Sequence, residues 1–120
     1  MATTVQSRKA KGRNLQKEVA TKILGTFPSL TDRDVQSTSM GASGVDIKLS
    51  AAAAEKFPYS VECKNVEKLS IWAAIEQAEA NKEDLEPLVV FKRNRSKTYC
   101  VLEFETFMKL VGDPTKYVQN

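Results

Sequence analysis

Two short stretches, GVDIKL at residues 44–49 and YSVECK at residues 59–64, decide the fold. In both, apolar and polar residues alternate, which is typical of a β-strand with one buried face. Side chains two residues apart on a strand project from the same face. Glu62 and Lys64 therefore lie side by side on the polar face of the second strand. Asp46 lies on the polar face of the first, so paired strands would bring all three charged groups together.

The rest of the chain predicts helices around these strands. Apolar residues at 3.6-residue spacing predict a helix that begins at Asn14, its N-cap, and ends before Pro28, and another from Ser70 to Asn81. A final helix covers residues 105–110, and the alanines at 51–54 can form a helical turn. Strands are predicted at residues 34–39, 45–49, 59–64, 88–91 and 98–104. We therefore expect a single α/β domain of order α-β-β-β-α-β-β-α, with a central mixed five-stranded sheet flanked by helices.

Length and composition are those of one ordinary globular domain. The chain has 120 residues, and its 42% hydrophobic and 28% charged residues argue against a disordered or membrane-bound protein. It has no apolar run of the roughly 18 residues that span a bilayer, and its N-terminus does not resemble a secretory signal. We therefore expect a cytoplasmic protein with no membrane partner. Cys63 and Cys100 lie in apolar runs, and we expect both to be buried free thiols.

Positive charge is concentrated in two places. Residues 1–13 are polar, basic and without periodicity, and we expect them to form a flexible arm on a folded domain of residues 14–120. The turn KRNRSK at residues 92–97 carries four more positive charges. Both clusters are solvated by default, but on a DNA-binding protein they would contact phosphates without reading the sequence. The predicted DNA contacts are Arg8, Lys9, Lys11, Arg13, Lys92, Arg93, Arg95 and Lys97.

The chain has no histidine. This absence argues against histidine general bases, Ser-His and Cys-His nucleophiles and most transition-metal sites. Carboxylates remain, and they prefer hard cations such as Mg²⁺. Asp46 and Glu62 could hold Mg²⁺ with the main-chain carbonyl of Cys63 as a further ligand, while Lys64 stabilises charge developing at phosphorus. Phosphodiester hydrolysis with Mg²⁺, for which Mn²⁺ can substitute, and without an organic cofactor, would explain this ionic patch.

The runs GASGVDIKLS and YSVECKN, followed by SIWAAIEQAEAN, resemble the PD-(D/E)xK nuclease superfamily. The likeness is greatest to Holliday-junction resolvases of the archaeal kind and their phage-encoded relatives. It implies a restriction-endonuclease-like fold with Asp46, Glu62 and Lys64 as the catalytic core. The proline of the motif is Val45 here, a variation that the superfamily tolerates.

The resemblance also implies functional residues outside this core. Glu18, on the first helix, would reach the metal, and Gln77, on the helix after the motif, would support catalysis. A serine before the aspartate, Ser37 or Ser39, would contact the DNA, and the spacing does not choose between them. Glu18 can instead form a surface pair with Lys22, four residues later, and Gln77 can simply lie on the helix surface.

The core residues have structural alternatives as well. Glu62 and Lys64 can be a solvated ion pair on an exposed sheet face, and Asp46 can cap a turn after Gly44. We expect Trp72 to pack in the core or to contact a second subunit.

The function that the resemblance implies is a structure-selective DNA endonuclease, most specifically a Holliday-junction resolvase. Symmetric cleavage of a four-way junction needs two active sites related by a two-fold axis, so a homodimer is implied as well. One alternative is a nuclease of the same chemistry for other branched, nicked or foreign duplex DNA, because a shared fold does not decide the substrate. Another is a nuclease-like module that binds DNA without cutting it.

Overall fold

The computed structural model describes residues 4–38 and 44–113. Four helices and five strands follow one another in the order α-β-β-α-β-α-β-β-α along this part of the chain. The helices are α1 (Val5–Thr26), α2 (Ala51–Lys56), α3 (Ile71–Asn81) and α4 (Phe104–Gly112). The strands are β1 (Val35–Ser37), β2 (Ile47–Leu49), β3 (Tyr59–Asn65), β4 (Glu86–Lys92) and β5 (Tyr99–Leu102). The predicted α/β fold class is confirmed, and the alanine run forms α2.

The five strands differ from the prediction in how they are joined. Within the described residues, β1 and β2 form an antiparallel pair, while β4 pairs in parallel with β3 and antiparallel with β5. The sheet is therefore mixed, as predicted, but its main-chain hydrogen bonds fall into two groups. The reason lies at the junction of the groups, where the Asp46 side chain, and not a main-chain carbonyl, accepts the hydrogen bond of Cys63 N–H.

Helix α1 begins ten residues earlier than predicted. Its N-cap is Thr4, whose Oγ1 accepts a hydrogen bond from Ser7 N–H at 3.0 Å, so the predicted cap at Asn14 was wrong. Residues 5–13 lack an apolar stripe, but their lysine, arginine, alanine and glutamine are good helix formers, and a cap starts the helix before its apolar face begins. The predicted division at residue 13 is therefore not a boundary of secondary structure. The mobility of residues 1–13 stays a prediction.

Apolar residues fill both faces of the sheet formed by β3, β4 and β5. On one face, α1 packs through Leu15 and Ile23 against Val61, Cys63 and Val90. The opposite face is covered by α3, whose small residues Ala74 and Ala78 pack on Val89, with partly buried Val101 beside them. The side chains of β3 that point away from α1, residues 60, 62 and 64, therefore face α3.

The two cysteines are free, but only one is buried. Cys63 lies in the core, whereas Cys100 is exposed on β5, so the prediction of a buried thiol at Cys100 was wrong. Strand β5 is the edge strand of its group, and a residue in an apolar run on an edge strand can face solvent. None of the helices in the described chain is both long and apolar enough to cross a bilayer.

Candidate active site

Asp46 sits at the entrance to β2, at the point where β2 approaches β3. Gly44, two residues earlier, has a φ of +101°, a conformation that glycine adopts without strain. Thr38 fixes the chain there, because its N–H donates to Asp46 O at 2.9 Å and its Oγ1 donates to Val45 O at 2.9 Å. Asp46 Oδ2 then accepts a hydrogen bond from Cys63 N–H at 2.7 Å. The carboxylate is thus anchored to the middle of β3, and the alternative of a simple turn cap does not describe it.

Glu62 and Lys64 lie on β3 beside this anchor. Glu62 is only 3% exposed, so it is not part of a solvated ion pair on an open sheet face. Lys64 Nζ lies 3.4 Å from Glu62 Oε2 and donates a hydrogen bond to Gln77 Oε1 at 2.9 Å. The lysine is therefore held from two sides, by a carboxylate of its own strand and by an amide of α3.

The two carboxyl groups strongly affect each other. Burial raises the pKa of Glu62 to about 7, and the negative charge of Asp46 adds to this shift, while Lys64 opposes it. Burial also raises the pKa of Asp46, while the hydrogen bond from Cys63 N–H lowers it and so offsets part of the shift. The interaction of the two carboxyl groups raises the pKa of Glu62 and lowers that of Asp46. A buried and a half-buried carboxylate that interact in this way disfavour double ionisation unless a cation lies between them.

The donor set fits a hard divalent cation. The described residues contain no group of three or more His, Cys, Asp and Glu side chains that could hold a metal. A cation here would therefore take Asp46 and Glu62 and complete its shell from main-chain carbonyls and water, as Mg²⁺ commonly does. On a strand, the N–H and C=O of one residue point to the same edge. The Cys63 carbonyl thus points toward the edge where Asp46 lies, as the sequence predicted for a ligand.

Glu18 is not among the residues that the structure brings together. It is exposed on α1 and lines a shallow depression with Thr21 and Lys22. Moreover, α1 packs on the sheet face that carries Cys63, whereas Glu62 points toward α3. The described contacts do not place Glu18 beside Asp46 and Glu62, and metal binding by Glu18 stays a prediction.

Two polar residues with structural roles, one in α1 and one at the end of α3, were missed from the sequence. Gln16 is 3% exposed on the inner side of α1, next to the core residue Leu15. Asn81 Nδ2 donates to Gly44 O at 3.1 Å and so ties the end of α3 to the turn before Asp46. Gln16 could have been noticed as a polar residue inside an apolar helical stripe, but Asn81 carries no signal in the sequence, because its partner is a main-chain carbonyl 37 residues away.

Two of the predicted DNA-contacting residues, Lys11 and Lys92, lie near the carboxyl end of β3. Asn65, which follows Lys64, donates through Nδ2 to Lys11 O on α1 at 3.4 Å and is the register partner of Lys92 on β4. The first half of α1 and the turn at residues 92–97 therefore meet at the end of the strand that carries Glu62. Ser37 is half-buried on β1, and Ser39 lies outside the described residues.

A family model described as "Phage putative PDDEXK endonuclease" matches residues 7–119. The chain belongs to this family. Comparisons with curated proteins and with solved structures found no match. Family membership identifies a phage-type PD-(D/E)xK endonuclease, an enzyme class that acts on DNA and generally uses divalent metals. The assignment of the motif to Asp46, Glu62 and Lys64 stays a prediction from the sequence.

The raised pKa of Glu62 predicts how stability changes with pH in metal-free protein. Between pH 4.5, its ordinary pKa, and about 7, the folded state binds more protons than the unfolded state. The wild-type free energy of unfolding therefore falls as pH rises through this window. Glu62→Gln removes this loss. The free energy of unfolding of the variant should therefore exceed that of the wild type by about 1–3 kcal/mol at pH 8 and by little at pH 4.

Urea denaturation of both proteins in EDTA at the two pH values measures this difference. Glu76→Gln, at an exposed position on α3, serves as the control and should behave as the wild type does. An equal difference between Glu62→Gln and wild type at both pH values would mean that Glu62 titrates normally in the folded protein.

Proposed function

We propose that this chain is a metal-dependent, structure-selective DNA endonuclease, most specifically a Holliday-junction resolvase. The observation that carries the proposal is the convergence of the half-buried Asp46 and the buried Glu62 beside a lysine held by Gln77. Burying these charged groups destabilises the folded protein. Binding of a cation for phosphodiester hydrolysis would explain why they are buried. As a phage-encoded enzyme acting on DNA in an infected cell, it would work in the host cytoplasm.

Each residue of the site would have a separate task. Asp46, Glu62 and the Cys63 carbonyl would hold Mg²⁺ or Mn²⁺, which polarises the phosphate and lowers the pKa of bound water. Lys64 would place its positive charge against the phosphate oxygens where negative charge develops. Gln77 would act as a positioning residue, because it fixes the Lys64 ammonium through a 2.9 Å hydrogen bond and does not itself reach the reacting atoms.

DNA would lie across the carboxyl end of β3. Lys11 on α1 and Lys92 on β4 lie beside Asn65 at this end. The basic residues that would contact DNA from the two segments are Arg8, Lys9, Lys11 and Arg13 on α1 and Lys92, Arg93, Arg95 and Lys97 at the β4–β5 turn. These residues would neutralise phosphates on both sides of the cut site without reading bases. Ser37 or Ser39 would contact DNA from the segment before Asp46.

A homodimer would place two such sites on one junction. Helix α4 has no buried residue, and Phe104, Phe107, Met108 and Val111 are each about half to three-quarters exposed. Trp72 on α3 is 73% exposed and lines a groove that extends to Glu103, the residue before α4. This exposure argues for a subunit contact and against core packing. Aromatic side chains bury about 150–250 Å² each, so this surface can supply a large part of the roughly 800 Å² per partner of a standard interface.

Cleavage of labelled DNA tests the function directly. With Mg²⁺, the wild type should cut a four-way junction by paired symmetric nicks and leave linear duplex intact, and EDTA should abolish the reaction. Glu62→Gln should lower the single-turnover rate by roughly 100-fold or more, because a metal contributes several kcal/mol to the transition state. Glu76→Gln is the matched control.

The other outcomes separate the alternatives. Equal cutting of junction and nicked or linear duplex would favour a nuclease for other DNA. Tight binding of the junction with no product in either Mg²⁺ or Mn²⁺ would favour a binding module and overturn the enzymatic proposal.

The positioning role of Gln77 can be tested with two substitutions. Gln77→Ala removes the acceptor for Lys64 and should lower the single-turnover rate on the junction by roughly 10-fold, within the range of misplaced catalytic groups. Gln77→Glu keeps an acceptor at the same distance and should recover much of the rate. Gln77→Ala should change the single-turnover rate at saturating enzyme and should leave the Kd for DNA unchanged. If Gln77→Ala cuts as fast as Glu76→Ala, its exposed neighbour, Gln77 is only a surface residue.

The proposed dimer surface can be tested with a single charge. Phe107→Glu places a carboxylate in the centre of the exposed apolar face of α4 and should convert a dimeric wild type to a monomer without unfolding it, since Phe107 is 48% exposed. Sedimentation velocity measures the state, with Glu105→Gln on the polar side of the same helix as control. A monomeric wild type at micromolar concentration, with symmetric junction cleavage still present, would contradict this assignment.

A further inference from the structure

A row of three side chains crosses the sheet beside the candidate active site. Lys64 on β3 is the register partner of Phe91 on β4, and Phe91 is the partner of Tyr99 on β5. Partner residues on adjacent strands point to the same face, so all three lie on the face that α3 covers further along. Because adjacent strands are about 4.8 Å apart, the Cα atoms of Lys64 and Tyr99 are separated by roughly 10 Å.

Two residues of this row, Phe91 and Tyr99, line a groove that has no role in the proposed hydrolysis. The groove has a volume of about 320 Å³, and its apolar wall consists of Val66, Leu69, Phe91 and Tyr99. Tyr99 is 56% exposed, and its ring centroid lies 6.1 Å from that of Phe91. This volume is at the lower end for pockets that bind small organic groups, so a single planar ring system is a suitable occupant.

The charges around the groove favour a nucleic acid. Lys92 and Arg93 line it from the β4–β5 turn. Its one acidic side chain, Glu67, accepts a hydrogen bond from Asn94 N–H at 2.7 Å and so holds that turn in place. An exposed aromatic ring bordered by basic residues is the combination that binds unpaired nucleotides, by stacking on the base and by attraction of the phosphate.

We propose that this groove, which we call the Tyr99 groove, binds one unpaired nucleobase of the DNA, stacked on Tyr99, while Lys92 and Arg93 contact its phosphate. The proposal rests on the proposed function, because it places this base close to a phosphate at Lys64. A separation of roughly 10 Å corresponds to about three nucleotides at the ~3.4 Å rise of stacked DNA. A base in an intact duplex is paired and stacked and cannot enter, so the groove would select DNA with an unpaired nucleotide near the cut, as at a branch point.

A fluorescent base in the full-length protein tests the groove without relying on cleavage. The probe is a duplex with one unpaired 2-aminopurine, an adenine analogue whose fluorescence falls on stacking, and the comparison is a fully paired duplex, both in EDTA. Wild type should bind the unpaired probe more tightly and quench it. Tyr99→Leu, which keeps apolar bulk but cannot stack, should lose the quenching and weaken the Kd for this probe by about 5- to 100-fold. Its Kd for the paired duplex should change by less than about 2-fold.

Two matched variants control for side effects. Tyr99→Phe keeps an aromatic ring and should bind as wild type does. Cys100→Ala truncates the next side chain of the same strand, which points to the other face of the sheet, and should leave the preference for the unpaired probe unchanged. Circular dichroism verifies that each variant is folded.

Several outcomes would overturn the proposal. Equal weakening of both duplexes by Tyr99→Leu would show a general DNA contact, and unquenched probe on wild type would show that the base does not enter. Conversion of a dimeric protein to a monomer by Tyr99→Leu would assign the groove to a protein contact. If wild type cuts DNA with Mg²⁺ but shows no preference for the unpaired probe, the groove proposal fails alone. If it shows this preference and cuts no DNA, the groove proposal stands and the endonuclease proposal fails.

Discussion

The hydrogen bond from Cys63 N–H to Asp46 Oδ2, at 2.7 Å, joins two strands that no main-chain ladder connects within the described residues. In an ordinary sheet, a carbonyl of the neighbouring strand would accept this hydrogen bond. Here a side-chain carboxylate takes its place. The substitution has two consequences: it splits the sheet into two groups, and it places a negative charge at the edge of β3, directly beside Glu62. Fold and candidate site therefore depend on the same contact.

This arrangement is unfavourable for the protein without a cation. Glu62 is almost fully buried, and its carboxyl group faces that of Asp46, so burial and like charge together raise its pKa to about 7. Lys64 offsets only part of this, since it also donates to Gln77 and is more exposed than Glu62. Structural ion pairs usually avoid such a geometry, because a buried charge without full compensation lowers stability. Buried carboxyl groups with shifted pKa values are typical of sites that bind a ligand or perform catalysis.

Alternation of side chains made the core of this site predictable. Asp46, Glu62 and Lys64 stand on polar faces of strands whose other faces are apolar, and the period of two residues fixes their direction before any contact is known. Gln77 was located by resemblance to a motif and not by its own spacing. Glu18 and Gln16 show the limit of this reasoning. Both lie on α1 near its apolar stripe, and a rotation of a little over half a turn decides which one is exposed and which is buried.

Other features depended on partners far away in the sequence. The division of the sheet requires the meeting of Asp46 with a main-chain N–H 17 residues later, and no local pattern contains this information. The early start of α1 follows from a threonine cap before a stretch without periodicity, where charge suggested a mobile arm. Cys100 is exposed because β5 lies at a sheet edge, and strand order is a property of the whole fold. A tertiary contact decided the division of the sheet and an edge position decided the exposure of Cys100, whereas the start of α1 depends on a local cap three residues from its partner.

The same edge geometry determines from which side a DNA strand could reach the candidate site. A parallel pair such as β3–β4 is usually covered on both faces, and here α1 and α3 cover both. The faces are therefore closed to a large polyanion, and access remains at the carboxyl end of β3, where the polar edge from Asp46 to Lys64 meets Asn65 and the basic turn. Asn65 binds the carbonyl of Lys11 and pairs with Lys92 in the ladder, so it connects both basic segments to the strand that carries Glu62. Under the proposed function, a DNA strand attracted by either segment would be brought to the two carboxylates, and the backbone of β3 would determine the distance.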